Sequence, residues 1–125
     1  MSISLCCIVK NEQACIADML ESVAELVDEM IVVDTGSTDA TLEIAATFAA
    51  KIYKFSWVDD FAAARNHSLS LATNPWILVL DADERLNPGD LQTLKDISAR
   101  NAEQAYFLKR RHYQTSANFP FFKNL

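Results

Sequence analysis

The chain has 125 residues, 50% of them apolar and 22% charged, with a formal net charge of −6 at pH 7. That length suits one domain around a single core, in the compositional balance of an ordinary globular protein. The acidic sum excludes a broad nucleic-acid surface, which needs a dense Lys/Arg patch.

Chain order begins with "ISLCCIV", Ile3 to Val9, an apolar run too short for a good helix and therefore a strand buried on both faces. Its Cys6 and Cys7, with Cys15, make an odd set lacking C-x-x-C spacing, which points to buried free thiols in a reducing compartment. The N-terminus has no basic leader, and no stretch nears the ~20 apolar residues of a membrane span. A cytoplasmic, soluble domain is expected. Asn11 is placed to cap the next helix, where Ile16, Met19, Leu20, Val23 and Val27 recur at helical spacing. Met30 to Val33 is a second buried strand, running into "DTGSTD". A helix from about Thr38 to Ala50 follows, with Leu42, Ala45, Ala46 and Ala49 on one side.

Ile52 to Phe55 reads as a third strand and "DDFAAARNHSLSLA" as a helix with Phe61, Ala64, Ser68 and Leu71 on one side, stopped by Asn74-Pro75. Ile77 to Leu80 is the fourth strand. Asn87-Pro88 opens a helix with Leu91, Leu94 and Ile97 inward, and "AYFLKRRHY" gives a fifth strand. Its basic run, Lys109 to Arg111, reads as a solvated strand end, with a phosphate or partner contact the lesser alternative. Alternating strands and helices predict an α/β fold, a mostly parallel sheet with helices on both faces. Ligands of such sheets bind beyond the carboxyl ends of the strands, where strand order reverses.

Three segments meet that edge. In "DADE", an extended chain past Leu80 would send Asp81 and Asp83 to one side with Ala82 between them, a hard-oxygen pair for Mg²⁺ or Mn²⁺ bridging to a diphosphate. In "VVDTGSTDATLEIA", Asp34 leaves the second strand and could accept hydrogen bonds from ribose hydroxyls or a base N–H; Gly36 permits a tight turn, and Asp39 is as readily a helix cap. In "SWVDDFAAARNHSL", Asp60 suits a helix start, while Arg65 either reaches a phosphate or base or pairs with Asp59, Asp60 or another acid. Lys10, Asn11 and Glu12 leave the first strand at the same edge. Trp57 reads as packing, and His67 and His112 lack relay partners. Neither a G-x-G-x-x-G nor a Walker loop is present.

Taken together and in this order, "ISLCCIVKNE", "VDEMIVVDTGSTDAT", "FSWVDDFAAARNHSL" and "WILVLDADE" resemble the family 2 glycosyltransferases of the GT-A fold, closest to the bacterial branch of lipopolysaccharide-core and peptide glycosyltransferases. The resemblance covers Ile3 to Glu84. It implies a nucleotide-sugar donor, usually UDP-linked, a divalent cation, and an acceptor that is a glycan, a lipid-linked sugar or a peptide. It also implies roles: Val9, Asn11 and Glu12 line the nucleotide site, Asp34 contacts uracil or ribose, and Arg65 lies near the base or diphosphate. Asp81 and Ala82 assist nucleotide binding, and Asp83, with Asp81, ligates the metal. The family's acceptor base lies well past the D-x-D segment; Glu103 does not match it, and the tail "QTSANFPFFKNL" offers no closing element. Residues 1–125 are thus expected to form one incomplete GT-A domain, the donor-binding half, inactive in transfer by itself. The alternatives are a nucleotide-sugar-binding module without catalysis and, more distantly, a haloacid-dehalogenase-type phosphatase, which wants its aspartyl nucleophile near the chain's start, whereas here the D-x-D comes on the fourth strand and is followed by Glu84 and Arg85. Phe119, Phe121 and Phe122 are expected to expose an apolar patch that invites self-association.

Overall fold

The computed structural model describes residues 2–56, 60–99, 105–111 and 116–123, the last two segments as backbone strands only. Trp57, Asp59, Glu103 and His112 lie outside the described residues, as do the side chains of Lys109 to Arg111 and of Phe119, Phe121 and Phe122. Strands β1 (Ile3–Val9), β2 (Glu29–Asp34), β3 (Lys51–Lys54) and β4 (Trp76–Val79) are parallel, and β5 (Ala105–Arg111) and β6 (Ser116–Lys123) are antiparallel, in one sheet of order β3-β2-β1-β4-β6-β5. Strand order reverses between β1 and β4. The sixth strand is a correction to the sequence reading: the "SANFPFFK" segment lies between β4 and β5, antiparallel to both, so the tail does hold an element of the sheet. Its apolar residues sit in a segment with Pro120 and no alternating pattern, so sequence periodicity does not announce a strand.

β1 is apolar at successive positions because each face meets its own cover. Ile3, Leu5, Cys7 and Val9 face one core with Trp76, Leu78 and Leu80 of the β4 segment, while Cys6 joins Ile31, Val33, Ile77 and Val79 on the other. The first face is covered by α1 (Ile16–Val23), α2 (Thr41–Thr47) and α4 (Leu91–Ala99), the second by α3 (Phe61–Ser70). In α1 the spacing Ile16, Met19, Leu20, Val23 seals four side chains at 0% exposure; each such burial contributes roughly 1.5–3 kcal/mol. Val27 lies past the helix end, partly buried. α3 approaches the sheet through small residues: Ala64 and Ser68 are fully buried, and the Ser68 carbonyl accepts the Cys6 thiol at 3.4 Å. Burial pushes the Cys6 thiol up to about 12, with Glu29 adding to the rise and Arg65 opposing it, so it is an inert apolar filler. Phe61, expected on the inner side, is 53% exposed. Asp60 caps α3 by accepting the Ala63 N–H at 3.0 Å, and Asn87 opens the 3-10 turn before α4 by accepting from Gly89.

α2 is shorter than its pattern, and its buried contacts come from Thr41 and Ala45, with Leu42 and Phe48 half-buried, rather than from Ala46 and Ala49, which are exposed. The helix stops in a Schellman turn, where the Ala50 N–H donates to the Ala45 carbonyl and the Ala49 N–H to that of Ala46. This forces Ala49 to φ +59°, a left-handed conformation that costs an L-residue about 1–2 kcal/mol. Ala49→Gly removes that cost but makes the unfolded chain freer by about 0.5–1 kcal/mol. A net stabilisation of about 0.5 kcal/mol is expected in urea unfolding; a loss of stability would show that the Ala49 methyl packs.

Candidate functional site

The loops after β1 and β2 are one hydrogen-bonded unit. Val9 pairs in register with Asp34, and its carbonyl accepts both the Thr35 N–H (3.0 Å) and hydroxyl (3.1 Å). Asn11, at φ +53°, does not cap α1, whose Cys15 cap position makes no side-chain bond. Its N–H instead donates to Ser37 Oγ at 2.9 Å and its Oδ1 accepts the Thr38 N–H at 2.7 Å. Asn tolerates this backbone better than other non-glycine residues. Next along, the Glu12 N–H donates to Thr41 Oγ1 at 2.8 Å, while Asp39 accepts from the Gln13 and Thr41 N–H groups and from the Thr41 hydroxyl. Asp39 therefore caps the start of α2 from just outside it.

Asp34 ends β2 where the sequence places it, but only 4% exposed and turned onto its own loop. Its carboxylate accepts the Ser37 N–H at 3.1 Å and the Gly36 N–H at 3.4 Å, the latter from a glycine at φ +124° that other residues rarely adopt. This acid shapes the turn that walls the crevice.

Arg65 resolves its alternatives by pairing with Asp81, Nη2 to Oδ1 at 3.3 Å, so α3 reaches the D-x-D turn directly. Its guanidinium also lies over the Phe61 ring at 5.3 Å, within cation–π range. The chain is not extended past Leu80; it turns, with the Glu84 N–H donating to the Asp81 carbonyl at 3.0 Å. The turn still gives the expected sidedness: Ala82 is buried in the core, Asp81 half-exposed and Asp83 exposed. Glu84, a member of the acidic cluster with no role assigned from the sequence, is buried at 6% exposure and accepts the Asp81 N–H at 2.7 Å. The D-x-x-E spacing that closes such a turn was the available signal.

Asp81, Asp83 and Glu84 bring carboxylate oxygens within 4.8 Å of one another. Glu12 faces them from the end of β1: burial first, then Asp83, Asp81 and Asp39, hold its carboxyl above the usual range. Beneath, burial and the nearby Asp81 raise the Cys7 thiol, against the opposing pull of Arg65. A crevice of about 310 Å³ opens at this edge, lined by Ile8, Val9, Lys10, Glu12, Thr35 and Phe61. A larger concavity, about 520 Å³, lies away from it between α1 and residues 85–91. The smaller is the functional candidate, because its lining includes the carboxyl ends of β1 and β2 and Glu12, whose carboxyl feels the charges of Asp83 and Asp81. His67 packs against Phe55 with the rings tilted by 37° and their centroids 5.2 Å apart, an ordinary packing role. No described helix is long and apolar enough to cross a membrane.

Comparison with known proteins places this geometry. The chain is 38% identical over 104 residues, 83% of its length, to an uncharacterized glycosyltransferase of Rickettsia typhi, covering 35% of that protein. It is 52% identical over 84 residues, 67% of its length, to a TPR repeat-containing protein of Synechococcus elongatus, covering 21% of it. The chain thus spans a fifth to about a third of these relatives. Among solved structures it superposes on S. aureus TarS 1-349 with TM-score 0.68 at 29% identity, covering 79% of this chain and 32% of that one. Glucosyl-3-phosphoglycerate synthase from Mycobacterium tuberculosis, in complex with Mn²⁺, UDP and phosphoglyceric acid, matches with TM-score 0.68 at 25% identity, over 83% of this chain and 41% of that one. The mostly parallel sheet is the GT-A arrangement. The profile of "Glycosyl transferase family 2" matches residues 4–123, from the start of β1 to the end of β6, and the chain belongs to that family.

Proposed function

We propose that this chain is the donor-binding part of a glycosyltransferase that takes a sugar from a UDP-linked donor with the help of Mn²⁺ or Mg²⁺. The observation that carries the reading is the group of carboxylates just past the end of β4, their oxygens within 4.8 Å, at the edge where strand order reverses between β1 and β4. The donor set fits the ion: carboxylate oxygens suit hard divalent cations, and Mg²⁺ takes only one or two of them alongside substrate phosphates. The Glu12 carboxyl, held above its usual range first by burial and then by Asp83, Asp81 and Asp39, is in keeping with an acidic edge. Solved relatives bound to UDP with Mn²⁺ or Mg²⁺ support the same pairing of ligand and metal.

Asp83 and Asp81 would hold the cation. When bound, it stabilises charge developing on the departing nucleoside diphosphate. Arg65 fixes Asp81 by their ion pair and keeps positive charge at the crevice edge, where Lys10 adds more. Val9, Thr35 and Phe61 supply the wall against which base and ribose would lie, and the Asn11 bonds to Ser37 and Thr38 keep that wall rigid. Asp34 acts in this scheme by shaping the 34–37 turn; a direct contact to ribose or uracil through its remaining lone pairs is part of the proposal. The acceptor is proposed among glycans, lipid-linked sugars and peptides, in the branch of lipopolysaccharide-core and peptide glycosyltransferases. Calorimetric titration with UDP, with Mn²⁺ and with EDTA, tests the reading. Binding is expected to be at least tenfold tighter with Mn²⁺; equal affinity in both buffers would overturn it. Release of free sugar or UDP from UDP-sugars in the same samples separates a transferase from a module that only holds its nucleotide.

A further inference from the structure

Glu84 stands one residue past the D-x-D pair and behaves differently from both its acids. Asp83 is exposed and Asp81 half-exposed, whereas Glu84 is withdrawn to 6%. Its Oε1 accepts the Asp81 N–H at 2.7 Å, and its own N–H donates to the Asp81 carbonyl at 3.0 Å. Asp81 is therefore gripped at both backbone polar groups by the same residue, three positions ahead. Burying a carboxylate within 4.8 Å of two others is unfavourable unless the arrangement serves something. What the turn needs from this position is an oxygen that accepts the Asp81 N–H, and Glu84 Oε1 supplies it.

We propose that Glu84 is a positioning residue for the D-x-D turn: its buried carboxylate holds the Asp81 backbone so that the Asp81 and Asp83 side chains both face outward at a spacing one cation can span. The inference rests on the metal-dependent donor reading above. Supports of this kind typically change metal affinity 10–100-fold without touching the ion. Glu84 acts through the Asp81 N–H and not as a ligand, so an amide oxygen in its place must largely suffice.

The test uses the whole protein with Glu84→Gln, Glu84→Ala and Asp83→Ala, probed with Mn²⁺ and UDP. Glu84→Gln is expected to keep Mn²⁺-dependent UDP affinity within about fivefold of wild type, whereas Glu84→Ala loses at least tenfold. UDP affinity in EDTA should be unchanged in both. The electron paramagnetic resonance signal of bound Mn²⁺ should match wild type in Glu84→Gln. Amide exchange at Asp81, read without metal or nucleotide, should accelerate in Glu84→Ala alone, which examines the brace independently of any ligand. Wild-type affinity in Glu84→Ala overturns the proposal. So does a Glu84→Gln variant as weak as Asp83→Ala, which would make Glu84 a direct ligand. If wild type shows no Mn²⁺-dependent binding while Asp81 exchange still responds to Glu84→Ala, the donor reading has failed and the brace serves only the fold.

Discussion

Asp83→Ala is expected to remove the metal-dependent part of UDP binding while leaving the protein as stable as before. Four of the neighbouring acids are engaged: Asp81 pairs with Arg65, Asp34 holds its own loop, Asp39 takes the Thr41 N–H, and Glu84 accepts from Asp81. Asp83 is exposed and makes no hydrogen bond or ion pair among the described residues. A carboxylate with no work in the fold, set against other carboxylates, raises the energy of the metal-free state. Its removal should relieve repulsion, and the melting temperature in EDTA should hold or rise slightly. Affinity for UDP in Mn²⁺ should fall by about 100-fold, about 2.8 kcal/mol, since removing a ligand exceeds the effect of removing a support. Retained Mn²⁺-dependent affinity would exclude Asp83 as a ligand; a falling melting temperature in EDTA would show a structural role that the contacts do not reveal.

The second large effect lies at the opposite end of the sheet. Glu29 accepts the Ser4 hydroxyl at 2.5 Å, the Thr73 N–H at 2.7 Å and hydroxyl at 2.8 Å, and Lys51 Nζ at 2.9 Å. Burial alone would raise its carboxyl, but the bonds from Ser4, Thr73 and Lys51 outweigh it and hold the pKa at about 2. A folded pKa below the unfolded one means stability that is fully present above about pH 4.5 and lost as pH falls through about 2. Glu29→Gln is expected to destabilise by about 2–3 kcal/mol at pH 7, the size of a depression of this order. The difference from wild type should shrink steadily as urea unfolding is repeated from pH 5 down to pH 2. A difference that stays constant across that range would mean the charge is not what the four bonds stabilise.

Strands β1, β2 and β4 were legible because they are buried on both faces and so carry continuous apolar runs, as in Ile3 to Val9 and Trp76 to Leu80. The α1 stripe was legible for the same reason, with its four sealed positions repeating at helical spacing. β6 was not, because an antiparallel strand containing Pro120 and read by alternation offers no clean period. Side-chain direction at loop edges was also beyond the sequence. Asn11 and Asp34 were placed at the right edge, yet their polar atoms face the 34–38 loop, since a backbone N–H a few residues away is the nearest partner for a short polar side chain. Phe61 looked like a core residue by spacing alone. The Arg65–Asp81 pair was foreseen only as one of several options, because it joins residues brought together by the sheet and not by the chain.

β3 has a consequence for how copies of this protein meet. It is four residues long, stands at the edge of the sheet, and carries exposed lysines, Lys51 and Lys54, at both ends. A short strand fringed with ammonium groups is a poor template for another chain's strand. Lys51 is also tethered inward by Glu29, so the residue that completes a hydrogen-bonded knot inside the molecule helps close this margin to strand addition from outside.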